Sequence, residues 1–435
     1  MISNTVRKSI NIGYKFGQLG ITMLSIVDDR RYWANTSCIY HATLCFWKEP
    51  IKHSTDGFME DYRIALDTGN IEYATTSVAI CISYLIFEGE NLNELYVKYN
   101  DYETFLQQWP QQPNTNLLKA FLQTIIHLRT ENEKPEILIG EKINEEDMIA
   151  EALFVKDYSQ LASLFVNKFM LAFLFENYDE AGEIAKKLGK WISNITNLLQ
   201  YPMFLYYRAL MHLTLFKDYS KGQQFFARRH IKIARNKLKK WARHTPNNFT
   251  NKYVLIEAEI ARVSGKVEKS LRYYYEAINL SKEKGNLFDE AIAYELLAKY
   301  CLRLGNYDSA EIHFKKAALT YEIWGATAKA DHLTKKYVND LAAKSINYTT
   351  GTKTIKSSST IDIKSSLDIE TLMDAANTIS GEVVLAELIK KITGIMLQHA
   401  GAQKGILLLK DKITGEFTIK AEGTVDQNKQ KHCFG

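Results

Sequence analysis

The most concentrated group of like-charged side chains in the sequence is a basic run, residues 228–243, which contains no acidic residue. Arginine and lysine pair with phosphate oxygens, so such a run could contact a nucleic acid. The alternative is a solvated helix face whose apolar side chains turn toward the protein at helical spacing. Those apolar residues are Ile231, Ala234, Leu238 and Trp241. The net charge is only +5, so we favour the solvated helix and expect no nucleic-acid partner.

Motifs for catalysis are missing from the sequence. A phosphate-binding loop needs two glycines separated by four residues, then lysine and a hydroxyl residue. The nearest approach is Gly182 followed by Gly189 and Lys190, where the spacing is wrong and Trp191 follows the lysine. No kinase loop or Gly-x-Ser-x-Gly elbow occurs, and no histidine has metal-ligand spacing. We predict a chain that is not an enzyme and uses no cofactor or metal.

The cysteines and the apolar segments indicate a compartment. No Cys-x-x-Cys pair and no disulfide-dense framework is present, which favours a reducing cytoplasm. No apolar run approaches about 20 residues, so we expect no membrane span. The five cysteines are Cys38, Cys45, Cys81, Cys301 and Cys433.

The elements that position these residues are predicted to be helices. The chain has only 6 prolines and 22 glycines in 435 residues, and apolar residues recur at helical spacing through residues 1–340. Polar turns separate segments of about 15–20 residues, which is a normal length for packed helices. The fold class is therefore mostly α.

Six positions recur at an offset of 40 residues, which indicates an internal repeat. Small residues let two antiparallel helices approach, an aromatic residue fills the groove toward the next pair, and glycine ends a helix. The pairs are Ala258 with Ala298, Gly265 with Gly305, Ser270 with Ala310, Tyr274 with Phe314, Ala277 with Ala317, and Gly285 with Gly325. A fainter copy occurs at residues 177–181. The alternative interpretation is a non-repetitive helical bundle.

This spacing resembles the tetratricopeptide repeat, although the offset is longer than the usual repeat of about 34 residues. The resemblance implies an α-solenoid, a helical repeat array with lengthened helices or loops. Concave surfaces of such arrays bind protein partners.

The chain changes character after the helical region. Residues 341–366 are rich in Ser, Thr and Lys and read as a linker. Residues 367–425 are predicted to form two amphipathic helices and a hairpin, with strands at 404–410 and 417–421 and a turn at 413–416. This is the pattern of a small, truncated α+β piece.

Several stretches resemble the interior of very large bacterial signalling kinases. Those proteins join a serine/threonine kinase, an AAA-type ATPase, a tetratricopeptide-like region, a GAF domain and a sensor histidine kinase. The resemblance covers roughly residues 1–425, while residues 426–435 form a non-matching tail. The matching stretches are FWKEP at 46–50, DTGNIEYA at 67–74, KWARHTPNNF at 240–249, AIAYELLAKY at 291–300, YEIWGATAKA at 321–330, ISGE at 379–382 and GAQKG at 401–405.

The resemblance implies a cytoplasmic bacterial protein of two-component signal transduction. It places the first part of a GAF domain at residues 367–425, too little for a complete pocket, so we expect no small-molecule ligand. The kinase and ATPase domains are absent, so no catalytic residue is carried over. We expect a non-catalytic module for protein interaction and signal relay. The alternatives are a GAF regulatory subunit that senses a small molecule and works in trans with a separate kinase, and a truncated remnant.

Overall fold

The structure is a computed structural model. The chain divides into two compact units, Met1–Thr352 and Lys353–Gly435, which are described separately. The structure describes residues 9–27, 30–108, 114–341, 404–410, 417–425 and 432–434.

The described residues of the first unit form α-helices, most of them joined by short turns. A longer loop, residues 130–144, contains one isolated β-bridge between Ile139 and Asn144. Two short 3-10 helices, Cys45–Trp47 and Ile192–Ile195, and a π-helical turn, Thr334–Val338, interrupt the series. The α-helices are α1 (Ile10–Val27), α2 (Arg30–Thr43), α3 (Ile51–Asp67), α4 (Ile71–Glu88), α5 (Leu92–Leu106), α6 (Thr115–Arg129), α7 (Glu145–Phe154), α8 (Tyr158–Leu174), α9 (Tyr178–Leu188), α10 (Gln200–Thr214), α11 (Lys221–His244), α12 (Pro246–Val263), α13 (Val267–Glu283), α14 (Leu287–Arg303), α15 (Tyr307–Trp324) and α16 (Thr327–Leu333).

Residues with a left-handed backbone mark the turns at a spacing of twenty residues. Four glycines follow the ends of α12 to α15, and all of them have positive φ. Each turn between these helices is short, and α13, α14 and α15 are 17–18 residues long. The 40-residue offset therefore corresponds to two helices of about five turns each and their turns. Relative to the usual tetratricopeptide repeat, the helices and not the loops are lengthened. The four glycines are Gly265, Gly285, Gly305 and Gly325.

Polar side chains begin many of these helices. The Asn91 and Asn306 side chains accept hydrogen bonds from backbone N–H groups in the first turns of α5 and α15. Ser220 and Gln223 form a reciprocal capping box at the start of α11. Each cap satisfies donors that have no partner inside the helix and contributes about 1 kcal/mol.

Alternate helices form a closed inner ring. Helices α4, α6, α8, α10, α12 and α14 contact one another in that order, and α14 contacts α4 again. No residue of α14 from Leu287 to Leu302 is exposed, and residues 160–174 of α8 are all buried. Helices α3, α5, α9, α11, α13 and α15 pack outside the ring with one face exposed. The inner faces of α12 and α14, where an open repeat array would carry its concave groove, are therefore covered.

Hydrogen bonds from side chains to backbone carbonyls close the ring. Asn286 Nδ2, before α14, donates to Phe87 O in α4 over 3.1 Å. Asn91 Nδ2 donates to Ile323 O at the end of α15 over 2.8 Å. Since both carbonyls lie in the last turn of a helix, these bonds satisfy acceptors that have no intrahelical partner.

Aromatic rings fill the inside of the ring. Phe288 of α14 stacks on Trp324 of α15 with ring centroids 4.2 Å apart, and Tyr207 of α10 lies 5.9 Å from Phe288. All three side chains are fully buried. Buried aromatic residues contribute large apolar areas, so the tyrosines and phenylalanines that are frequent in this sequence are mainly core residues.

The second unit contains three described strands, all antiparallel. Strand β1 (Lys404–Lys410) pairs with β2 (Phe417–Val425), and β3 (His432–Phe434) pairs with the end of β2. Strand β2 is longer than predicted, and β3 lies in the segment that we expected to be a non-matching tail. The predicted linker, the two helices before β1 and the turn at 413–416 lie outside the described residues. Three antiparallel strands alone do not carry the expected α+β, GAF-like assignment.

Candidate interaction surface

The predicted repeat-packing residues lie at equivalent places in the two helix pairs. The eight that are not glycine are 0–1% exposed: Ala258, Ser270, Tyr274, Ala277, Ala298, Ala310, Phe314 and Ala317. The four glycines have φ between +68° and +96°.

The contacts of these residues are internal. Ser270 Oγ donates to Ala258 O over 2.9 Å, where α13 crosses α12 closely. The Tyr274 hydroxyl bonds the Glu259 carboxylate, which is itself paired with Arg262. The Phe314 ring stacks on Tyr337 at 4.4 Å. Because all of these side chains face inward, any partner surface must be built from other residues.

A buried charge cluster, which was not predicted from the sequence, joins α14 to the turn after α8. Lys299 Nζ lies 2.6 Å from Glu176 Oε1 and 2.6 Å from Glu295 Oε1. Lys329 Nζ lies 3.1 Å from Glu295 Oε1 and also donates to Leu174 O. Burial would raise the pKa of the Glu176 carboxyl, but Lys299 and Lys329 outweigh it and hold that pKa well below its ordinary range. Glu176 is therefore ionised at neutral pH.

One signal in the sequence could have revealed this cluster. Glu176 precedes Asn177 at the place where Gly305 precedes Asn306 in the repeat. Both residues have positive φ, +64° for Glu176 and +77° for Gly305. A glutamate where a turn favours glycine indicates that its side chain makes contacts that offset the strain.

A surface cavity of about 340 Å³ lies beside the cluster. Two of its lysines are already paired: Lys335 with Glu131 at 2.8 Å and Lys336 with Glu176 at 2.6 Å. Burial, with Lys329 nearby, lowers the pKa of His332 to about 4, so this imidazole is neutral at pH 7. The lining residues are Glu131, Asn132, Phe175, Ala328, Asp331, His332, Lys335 and Lys336. The two ion pairs connect the π-helical turn after α16 to the segments that follow α6 and α8.

Helix α11 carries the basic run and turns its apolar face inward. Ile231, Ala234, Leu238 and Trp241 are all buried, as the solvated-face interpretation predicts. Arg235 forms a two-point ion pair with Glu257 of α12, one bond of which is 2.9 Å. The outward face keeps a series of exposed cations. These are Arg228, Arg229, Lys232, Lys239, Lys240 and Arg243.

Helix α15 presents an apolar stripe on its outer face. Ile312, Leu319 and Ile323 are 53%, 56% and 51% exposed and follow one another at offsets of seven and four residues. These offsets place all three side chains on one side of the helix. Large apolar side chains grouped on an exposed face are typical of a surface that binds another protein.

Helix α1 buries its glycines and exposes its large apolar side chains, which is the reverse of the usual arrangement. Gly13 and Gly17 are buried, and a β-carbon at Gly17 would lie 2.6 Å from side-chain atoms of Leu44 and Tyr40. The large side chains face outward instead, with Phe16 57% and Leu19 53% exposed. Glycine thus allows a close approach to the neighbouring helix and leaves the apolar residues uncovered.

The described residues show few features of reactive chemistry. No group of three His, Cys, Asp or Glu side chains suited to a metal ion occurs among them. Burial raises the pKa of the Cys38 and Cys81 thiols to about 12, and these cysteines are free. A buried thiol with a raised pKa is a poor nucleophile.

One helix within the described part of the chain, α4, meets the length and composition criteria for crossing a membrane. In this structure 61% of that apolar window is buried among other helices. The inner helix of a folded repeat array meets the same criteria, so α4 is weak evidence for a membrane span.

The comparisons with known proteins agree with the helix pairs. Residues 253–322, which run from α12 into α15, match the family model of the tetratricopeptide repeat. No curated protein matches the chain. The chain is therefore mostly helical and contains tetratricopeptide-like repeats, a type of structure that usually mediates protein–protein interaction.

Proposed function

We propose that this chain is a non-catalytic scaffold that binds partner proteins on its outer helices. The tetratricopeptide-like repeats support an interaction role. The covered inner faces of α12 and α14 direct that role to the outside of the ring. The observation that carries the proposal is the apolar stripe of α15, where Ile312, Leu319 and Ile323 are each about half exposed.

The stripe is suited to a moderate, reversible interaction. Burying the exposed half of each side chain against a partner would contribute about 1 kcal/mol per residue. Lys315 and Lys316 lie between Ile312 and Leu319 along the helix and are exposed as well. Their aliphatic stems can cover a partner's apolar surface while their charged ends stay in solvent.

The test is a photoreactive amino acid placed at Leu319 in the full chain in its native cells. We expect a discrete adduct whose partner mass spectrometry identifies, and no adduct from the same group at Glu146, an exposed polar position on α7. The double variant Leu319→Ser/Ile323→Ser should then bind that partner at least about tenfold more weakly, with unchanged helical content. Equal labelling at both positions, or ATP turnover by the purified chain, would refute the proposal.

We further propose that the scaffold relays signals in a bacterial cytoplasmic two-component pathway, as the resemblance to signalling kinases implies. Support comes from the stretches quoted above and from the strand pair β1–β2, which lies where that resemblance places part of a GAF domain. Co-expression with a separate chain that carries a histidine kinase domain tests this role. Autophosphorylation that is unaffected by the scaffold would argue against it.

A further inference from the structure

We propose that the outward face of α11 is a docking surface for an acidic, extended segment of a partner protein that carries an apolar side chain at one end. This inference deepens the proposed function and rests on it. The α11 stripe is defined as Phe225, Arg229, Lys232, Asn236, Lys240 and Arg243, all of which are exposed. The α11 stripe and the apolar stripe of α15 are different surfaces.

Residue spacing places the α11 stripe on one line. Its members follow one another at offsets of three or four residues, which keeps them on one face of the helix. Arg243 follows Phe225 at an offset of 18 residues, which corresponds to about 27 Å along the helix axis. An extended peptide of about eight residues covers that length.

The charge of the stripe is not balanced within the described part of the protein. Arg229, Lys232, Lys240 and Arg243 form no ion pair with any described carboxylate. Some other exposed lysines on outer helices are paired within their own helix, as Lys186 is with Glu183 and Lys315 with Glu311, whereas Lys98 and Lys187 form no ion pair with a described carboxylate. What distinguishes the α11 stripe is that four such unpaired cations lie on one face of one helix.

The helix dipole accounts for only part of this charge. Cations in the last turn of a helix interact favourably with its dipole, which explains Arg243. Arg229 and Lys232 lie in the first half of α11, where the dipole gives them no such benefit. Like charges three residues apart cost stability, and an acidic ligand would relieve that repulsion.

An apolar anchor point lies at the N-terminal end of the stripe. Phe225 and Phe226 are 68% and 61% exposed, and their rings meet edge to face at 5.8 Å. Phenylalanine exposed to this extent is unfavourable without a partner, and aromatic side chains are common anchors of interfaces. This pair gives the docked segment a direction, with its apolar residue beside the second turn of α11.

The same layout argues against a nucleic acid. Single-stranded nucleic acids are bound by aromatic side chains spread along a cationic groove, so that successive bases stack on them. In the α11 stripe the aromatic residues lie together at one end, and no aromatic side chain is exposed among the cations that follow. The carboxylates of an acidic peptide can bind the exposed cations without any aromatic side chain between them.

The test uses a fluorescein-labelled peptide of ten residues, glutamate and serine in alternation with one terminal leucine, and the full chain. We expect fluorescence anisotropy to show binding that weakens as NaCl rises from about 50 to about 200 mM. The triple variant Arg229→Glu/Lys232→Glu/Lys240→Glu should bind at least about tenfold more weakly. The control triple Lys186→Glu/Lys187→Glu/Lys190→Glu changes the net charge equally at exposed positions of and beside α9, and it should stay within about twofold of the parent chain.

Two further measurements test the anchor and the class of ligand. Phe225→Ala/Phe226→Ala should weaken the leucine peptide at least about threefold and leave the peptide without leucine unchanged. An oligouridine of ten nucleotides should bind more weakly than the peptide. Equal losses in both charge-reversal triples, tighter binding of oligouridine, or no binding of the peptide would each overturn the inference. Peptide binding that fails while the photoreactive group at Leu319 still captures a partner would refute only this inference.

Discussion

Glu176 and Lys299 form an ion pair of 2.6 Å, and Glu176 makes it from a left-handed backbone conformation with φ of +64°. The pair fixes the turn between α8 and α9 to helix α14, far away in sequence. A left-handed conformation costs a residue other than glycine about 1–2 kcal/mol. The structure retains this strain because the carboxylate also contacts Lys336 and the Tyr337 hydroxyl.

Lys156 provides a matched test of that balance, since it has φ of +61° in the preceding turn and is exposed. We expect Lys156→Gly to raise the free energy of unfolding by about 1 kcal/mol, because only strain is removed. Glu176→Gly should lower it by about 2 kcal/mol, because Lys299 loses a buried partner. Urea unfolding at pH 7 measures both. A gain in stability for both variants would mean that the cluster contributes little.

Acid should destabilise the helical unit from about pH 6.5 downward. Burial lowers the pKa of His212 to about 3 and that of His230 to about 4, and Arg208 adds to both shifts. The ordinary histidine pKa in the unfolded chain is about 6.5. Between the folded and the unfolded pKa the unfolded chain binds more protons, so the free energy of unfolding decreases as the pH is lowered. His230→Gln should make the decline between pH 6.5 and pH 4.5 shallower. Asn236→Gln, at an exposed position of the same helix with no titrating group, is the control and should leave that slope unchanged.

A second decline should follow in stronger acid. The folded-state pKa of Glu176 lies below its unfolded value of about 4.3, so its contribution is complete above that pH and is lost as pH falls further. Glu176→Gln should flatten the stability profile below about pH 4.3 and leave the histidine region unchanged. Urea unfolding at a series of pH values separates the two ranges.

The closure of the inner ring should depend on Gly89. A β-carbon there would lie 2.8 Å from the backbone nitrogens of Leu287 and Phe288, and φ is +81°. Gly89→Ala should therefore lower the free energy of unfolding by about 2–4 kcal/mol, from strain and a backbone clash together. Gly265→Ala has φ of +72° and open space around it, so only the strain of about 1 kcal/mol applies. Equal losses would show that α4 and α14 do not meet at Gly89.

The docking of α1 should depend on Gly17. Gly17→Leu would push α1 away from Leu44 and Tyr40, so amide hydrogens of Ile10–Val27 should exchange faster in mass spectrometry. Gly182→Leu in α9 has nothing within reach of its β-carbon. That control should leave exchange in α1 unchanged and raise the free energy of unfolding by about 0.5–1 kcal/mol, since leucine favours helix.

Local patterns were enough to predict much of the helical fold. Helical periodicity and sparse glycine and proline indicate helices, and the 40-residue offset indicates pairs of them. The inward face of α11, with Leu238 and Trp241, follows from spacing because a helix repeats every 3.6 residues. The glycines at 265 and 305 follow because a turn with positive φ favours glycine.

Contacts between residues distant in the chain do not follow from local patterns. The return of α14 to α4 covers the inner faces of the repeats, although an open concave groove was expected. Spacing within a helix says which face is apolar but not which helix covers it. Lys299, Glu176 and Glu295 look like ordinary surface charges in sequence, and they form a buried cluster only because the turn after α8 lies against α14. Periodicity along the chain therefore specifies the helices and their inward faces, while packing between distant helices leaves the outer surfaces for partners.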